Sequence, residues 1–200
     1  MAESSFEFVP GRFGRAAPVP GLRVQALQPV ALASVLARQG KAAAARSAAQ
    51  QAWGIELPVT GRVASNAQIA FLGLGPDQWL AVSAAAGADD DFEARLGPAF
   101  ADSASLFDQS GGRIVLELTG PRVRDVLAKG FAVDLHPTAF GPGQVASTLV
   151  SHLNVQLWQV SIEPRYRLIV VRTWFGSFWR WLAASAAEYG GEVLAPGAYS

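Results

Sequence analysis

Cysteine is absent from the chain, which excludes a disulfide framework, a thiol nucleophile and a thiolate zinc site. Histidine occurs twice, as His136 and His152, each without a second imidazole at metal-ligand spacing. His136 precedes Pro137 in a loop and His152 falls at a turn between strands, so both read as ordinary polar loop residues. Lysine is limited to Lys41 and Lys129, and sixteen basic residues balance sixteen acidic ones. A nucleic-acid binder working through bulk positive charge is thereby excluded, because phosphate neutralisation needs a basic face. Nothing approaches the roughly 18 consecutive apolar residues of a membrane span. The densest stretch, residues 168–182, is interrupted by Arg172 and Arg180 and reads as a strand followed by a helix. Residues 1–9 place Glu3 and Glu7 ahead of any apolar run, so no secretion signal is read there and a cytoplasmic location is expected.

What remains is a 200-residue chain that is half hydrophobic, enough for one domain or for two small halves sharing a core. Only 16% of it is charged, against roughly 25% in an average soluble protein. That is less charge than a free surface normally carries.

Residues 1–21 form an arm in which Pro10, Pro18, Pro20, Gly11, Gly14 and Gly21 preclude a regular element. Flexible linkers seldom carry three phenylalanines, yet Phe6, Phe8 and Phe13 lie here, so the arm packs either on its own domain or on another subunit. Residues 22–104 and 105–200 then read as two α/β halves of one compact unit. In the first, 23–27 is a strand. Pro29 opens a helix with Leu32, Val35, Leu36 and Gln39 as its stripe, Gly40 breaks it, and alanine-rich 41–53, the weakest-anchored segment, either resumes it or frays. Residues 67–72 and 79–83 are strands joined at Gly73–Asp77, and 89–100 is a helix with Asp89, Asp90 and Asp91 in its first turn. In the second half, strands at 105–108 and 114–118 precede a helix opened by Pro121, with Asp125 and Lys129 paired at i, i+4. Strands at 145–150, 155–161 and 166–171 lead to a last helix, 174–189, ended by Gly190 and Gly191. The repeated element order predicts an α+β fold of duplicated split βαβ-type halves, with antiparallel sheets covered by helices.

The search for chemistry returns lookalikes. Residues 73–78 mimic a dinucleotide fingerprint, but Pro76 and the flanking strands make a hairpin turn. Ser110 follows Asp108 with no histidine nearby in sequence, and reads as a tight turn between strands. Asp134 and Glu163 are isolated carboxylates, and no phosphate loop or nucleophile elbow occurs.

The aromatic run is different. Trp174, Phe175, Phe178, Trp179 and Trp181 open the last helix. At about 100° per residue, its apolar arc spans roughly 160°, wider than the ~100° stripe a helix on one sheet needs. The surplus is either core of its own domain or partner contact, since interface cores favour Trp, Phe and Arg over Lys.

The motifs Asp108-Gln109-Ser110-Gly111-Gly112-Arg113, Leu116-Glu117-Leu118-Thr119-Gly120-Pro121 and Val126-Leu127-Ala128-Lys129-Gly130 resemble the gamma-subunit family of heterotetrameric sarcosine oxidase. Val133-Asp134-Leu135, Phe140 with Gly143, Thr148, and Arg172 ahead of Ser177-Phe178-Trp179 and Trp181-Leu182 extend the match over residues 105–190. Leu57-Pro58 and residues 74–80 continue it more loosely. Leu-Ser/Thr-Gly-Pro before a helix also occurs in the folate-binding aminomethyltransferase domain, a fold relative. The resemblance implies a fold like that domain and a complex that oxidatively demethylates sarcosine with oxygen, giving glycine and hydrogen peroxide while the one-carbon unit passes to tetrahydrofolate. It implies alpha, beta and delta partner subunits and no cofactor in this chain, with FAD, FMN, NAD and tetrahydrofolate held mainly by the larger alpha and beta subunits. It transfers no catalytic, cofactor-binding or metal position. The residues expected to matter are contact candidates: Phe6, Phe8, Phe13, Trp174, Phe175, Phe178, Trp179 and Trp181. The alternatives are a free-standing folate-dependent aminomethyl transferase and a binding module for another amine oxidase.

Overall fold

The structure, a computed structural model, describes residues 9–85 and 91–199. Its first elements are strands β1 (Gly11–Phe13), β2 (Leu22–Leu27) and β3 (Val30–Ala37), helix α1 (Ala42–Trp53) and strands β4 (Val63–Ser65), β5 (Ala70–Gly75) and β6 (Gln78–Ala84). Helix α2 (Phe92–Phe100), strands β7 (Ala104–Asp108) and β8 (Arg113–Thr119) and the short helix α3 (Val123–Leu127) follow. Strands β9 (Val145–Val150), β10 (Leu153–Ser161) and β11 (Arg165–Val171), a 3₁₀ turn at Arg172–Trp174, helix α4 (Phe175–Ala186) and strand β12 (Gly191–Val193) complete it. The fold is mixed α+β with largely antiparallel sheets. The chain divides into two compact units and passes between them at Leu27/Gln28, Gly111/Gly112, Pro142/Gly143, Ala146/Ser147 and Gly197/Ala198.

One unit holds Gln28–Gly111 with Gly143–Ala146. Its five-stranded sheet has the order β4-β5-β6-β3-β7. Ala45 and Ala49 of α1 and Phe92, Leu96 and Phe100 of α2 share a core with Ala33, Val35, Phe71, Trp79 and Ala81 of the sheet. Asp91 caps α2 by accepting the Ala94 N–H at 2.8 Å, while Asp89 and Asp90 lie outside the described residues. The segment after Pro29 is a strand and not the helix its spacing suggests. β3 pairs with β6 on one side and β7 on the other, and buries Ala31, Leu32, Ala33 and Val35 on both faces. A central strand buried on both faces loses its alternation, so an i, i+3, i+4 match arises by coincidence. Of the Gly73–Asp77 cluster, Gly73–Gly75 end β5 and Pro76 and Asp77 make the hairpin turn into β6, with Asp77 at φ 53°.

The other unit holds the chain up to Leu27, Gly112–Pro142 and Ser147–Gly197. Its sheet order is β1-β12-β2-β8-β11-β10-β9, antiparallel except where β12 runs parallel to β2. The proline- and glycine-rich arm does contain a regular element, because β1 pairs with β12 with Phe13 opposite Gly191. The Phe13 ring lies so close to Gly191 that a Cβ there would overlap it. Leu22 and Val24 of β2, Leu116 and Leu118 of β8, Leu168 and Val170 of β11 and Val123, Val126 and Leu127 of α3 are all fully buried.

Asp125 and Lys129 are not partners. Arg122 donates to Asp125 at 3.1 Å, while Lys129 reaches the end of α4, donating to the Ser185 carbonyl and the Glu188 carboxylate and lying 4.6 Å from the Tyr189 ring centroid. A cation there satisfies a carbonyl at the negative end of the helix dipole. The Lys129 hydrogen bond, opposed in part by desolvation, holds the Glu188 carboxyl below its usual value. A depressed folded pKa stabilises above the unfolded value, and that contribution is lost as pH falls through the folded one. Lys129→Met is therefore expected to move the Glu188 carboxyl titration upward in NMR and to remove this acid-side loss from the stability curve.

Candidate interface at the start of the last helix

β11 carries the chain along the sheet to Val171, and the 3₁₀ turn then swings it into α4. Phe175, Phe178, Leu182, Ser185 and Ala186 recur at helical spacing, and all are buried. Phe175 is 1% exposed and Phe178 is 0% exposed. These two contact candidates are therefore core residues, and the surplus width of the aromatic arc is largely filled by their own unit. Phe178 contacts Trp181 at 5.8 Å between ring centroids, and Trp181 in turn meets Phe131 at 5.6 Å. A Cβ on Gly130 would stand 2.7 Å from the Trp181 indole, so glycine there admits the ring. Trp179 stacks at 6.4 Å on Phe175 and meets Phe13 edge-on at 5.5 Å. The structure thus joins Phe13, Phe175, Phe178, Trp179 and Trp181 in one network of rings, with Trp179 and Trp181 half-buried. Trp174 stands apart, 45% exposed beside exposed Arg172. Phe6 and Phe8 lie outside the described residues.

The polar candidates are occupied in building turns. The Ser110 hydroxyl donates to Asp108 Oδ1 at 2.7 Å and accepts the Leu32 N–H at 2.9 Å. Asp134 accepts the His136 N–H at 2.9 Å, and the His136 ring is 2.7 Å from the Thr138 hydroxyl. His152 sits at φ 69° in the turn between β9 and β10. Glu163 accepts the Ser161 hydroxyl through its backbone carbonyl. Among the described residues, no cluster of three His, Cys, Asp or Glu side chains suits a metal ion. No helix of the described residues is long and apolar enough to cross a membrane.

Sequence reasoning missed a charged ladder on the sheet. Arg167, 4% exposed on β11, donates to Glu117 on β8 at 2.9 Å. Arg165 approaches the same carboxylate at 4.0 Å, and Arg23 donates to Glu192 at 3.2 Å. The β8–β11 register that sets Glu117 opposite Arg167 is the signal that exposes the pair. Burial also lowers the pKa of Arg113, which donates to Gln156 at 3.0 Å.

The description "Sarcosine oxidase, gamma subunit family" matches residues 38–188. A sarcosine oxidase subunit gamma from Arthrobacter sp. is 33% identical over 156 residues, 76% of this chain and 74% of that one. The corresponding subunit from Corynebacterium sp. strain U-96 is 30% identical over 184 residues, 90% of this chain and 88% of that one. This chain belongs to the sarcosine oxidase gamma-subunit family. The solved heterotetrameric sarcosine oxidase from Corynebacterium sp. U-96 contains a chain that matches with a TM-score of 0.74 and 26% identity, covering 86% of this chain and 87% of that one. The aminomethyltransferase T of the glycine cleavage system from Bartonella henselae shares the fold, with a TM-score of 0.61 at 14% identity over 90% of this chain and 48% of that one. Both features expected of a gamma subunit's fold, the mixed α+β architecture and the likeness to aminomethyltransferase, are present.

Proposed function

We propose that this gamma subunit contributes shape and contact surface to a heterotetrameric sarcosine oxidase, with the chemistry carried by its alpha, beta and delta subunits. In that reading the assembly oxidises sarcosine with oxygen to glycine and hydrogen peroxide, and passes the one-carbon unit to tetrahydrofolate as the methylene form. FAD, FMN, NAD and tetrahydrofolate sit on the partner subunits, and the complex works in the cytoplasm. The observation that carries the reading is the use of Ser110, Asp108, His136 and Asp134 as turn-building hydrogen-bond partners of one another and of nearby backbone. A nucleophile or base needs its lone pairs aimed at a substrate. Trp174, 45% exposed in the 3₁₀ turn ahead of α4, is the contact residue this reading favours.

The test is a calorimetric titration of the isolated chain with tetrahydrofolate, alongside its visible absorbance. The expected result is no heat of binding and no flavin band. Micromolar binding would instead favour a folate-dependent transferase, and flavin absorbance would place a redox centre in this subunit.

A further inference from the structure

Beside β1 lies a pocket of about 360 Å³, lined by Arg12, Phe13, Arg15, Pro18, Pro20 and Gly190. Three features give it a direction. The first is charge. Arg12, at 3.6 Å, and Arg23, at 3.2 Å, share the single carboxylate of Glu192. The Arg15 guanidinium has no side-chain partner among the described residues, its backbone N–H alone being used by the Ala187 carbonyl at 2.7 Å. Arg12 also donates to the Ala17 carbonyl at 3.2 Å, so two guanidinium groups share one carboxylate while Arg15 adds a further positive charge, an excess on a chain whose formal net charge is zero. The second is topology, since β1 is the outermost strand of its sheet and carries no strand on its far side among the described residues. An open edge accepts an extended segment through backbone hydrogen bonds. The third is lining. Phe13, Pro18 and Pro20 give apolar walls, and the volume lies at the small end of the range of about 300–1,000 Å³ typical of ligand sites. That suits a few side chains of a peptide better than a whole cofactor.

We infer that this pocket and the β1 edge receive an acidic, extended segment of a partner subunit, its carboxylates held by Arg12 and Arg15. Guanidinium forks bind carboxylates in two-point fashion, and charge pairs at an interface rim act strongly on encounter rate and salt dependence. The inference rests on the assembly reading and names the region of the gamma chain that docks.

The experiment measures the affinity of the full-length chain for the purified partner subunits at low and high salt, comparing wild type with Arg12→Glu/Arg15→Glu and Arg12→Lys/Arg15→Lys. The expected result is a loss of about tenfold or more for the glutamate pair at low salt, a loss that shrinks as salt rises, and a smaller loss for the lysine pair, which keeps the charge but not the two-point geometry. Both arginines are exposed, and matching thermal melts verify that the variants fold. A wild-type chain that binds its partners, with the glutamate pair binding equally well at both salts, overturns the inference alone. Wild-type chain that binds no partner overturns both the inference and the assembly reading. Unchanged partner affinity, with the glutamate pair converting a wild-type homodimer to monomer, assigns the pocket to a second copy and likewise overturns it.

Discussion

Replacing Glu117 with alanine is expected to lower stability by about 3–5 kcal/mol, measured as the shift of a urea transition. The cost comes from what is left behind rather than from the bond that is lost. Arg167 is 4% exposed and donates to Glu117 at 2.9 Å, so the substitution takes a carboxylate away from a buried guanidinium and sets a methyl group opposite it. Arg165 sits 4.0 Å from the same carboxylate but is 41% exposed, and a pair of that kind contributes at most about 1 kcal/mol. Removing both charges, as Glu117→Met with Arg167→Met, is expected to recover most of the loss, because an apolar pair of similar shape needs no partner. A double variant as unstable as Glu117→Ala alone would show that packing around β8 and β11, and not the broken Glu117–Arg167 pair, sets the effect.

Phe178→Ala is expected to cost about 3–5 kcal/mol, whereas Trp174→Ala leaves the stability of the isolated chain within about 0.5 kcal/mol. Phe178 is fully buried against Phe175 and Trp181, and truncating it opens a cavity that the neighbouring rings cannot close without leaving one another. Trp174 is nearly half exposed and has no such packing to lose. Guanidinium or urea melts of the two variants separate core from contact surface, and a Trp174 variant that is stable yet weak in partner binding would identify the tryptophan as a docking residue.

The sequence was legible where one physical signal dominated. The alanine-rich stretch of α1, the aspartate at the start of α2 and the hairpin after β5 each depend on local chemistry, and each lies where local chemistry puts it. β3 was not legible, because its two flanking strands come from β6 and β7, far along the chain, and double-sided burial erased the period that marks a strand. β1 was hidden for a related reason. Gly11 and Gly14 read as breakers, and only the distant β12 supplies the partner that makes Gly11–Phe13 a strand. Lys129 looked like the mate of Asp125 four residues before it, but the tertiary fold offered it a carbonyl, a carboxylate and a ring on α4 together. The aromatic run was visible as unusual, but its division between core and surface depended on which face of α4 meets the sheet.

The position of β12, between β1 and β2 in the sheet, has a consequence for synthesis on the ribosome. Gln28–Gly111, the bulk of one unit, is available as soon as it emerges, but β2 waits for β8 on one side and for Gly191–Val193 on the other. At roughly 5–20 residues per second, the stretch from β2 to β12 takes on the order of ten seconds to translate. Through that interval Leu22 and Val24 wait without the strand that pairs beside them, and Gly191–Val193, made roughly 165 residues later, close the sheet next to β2.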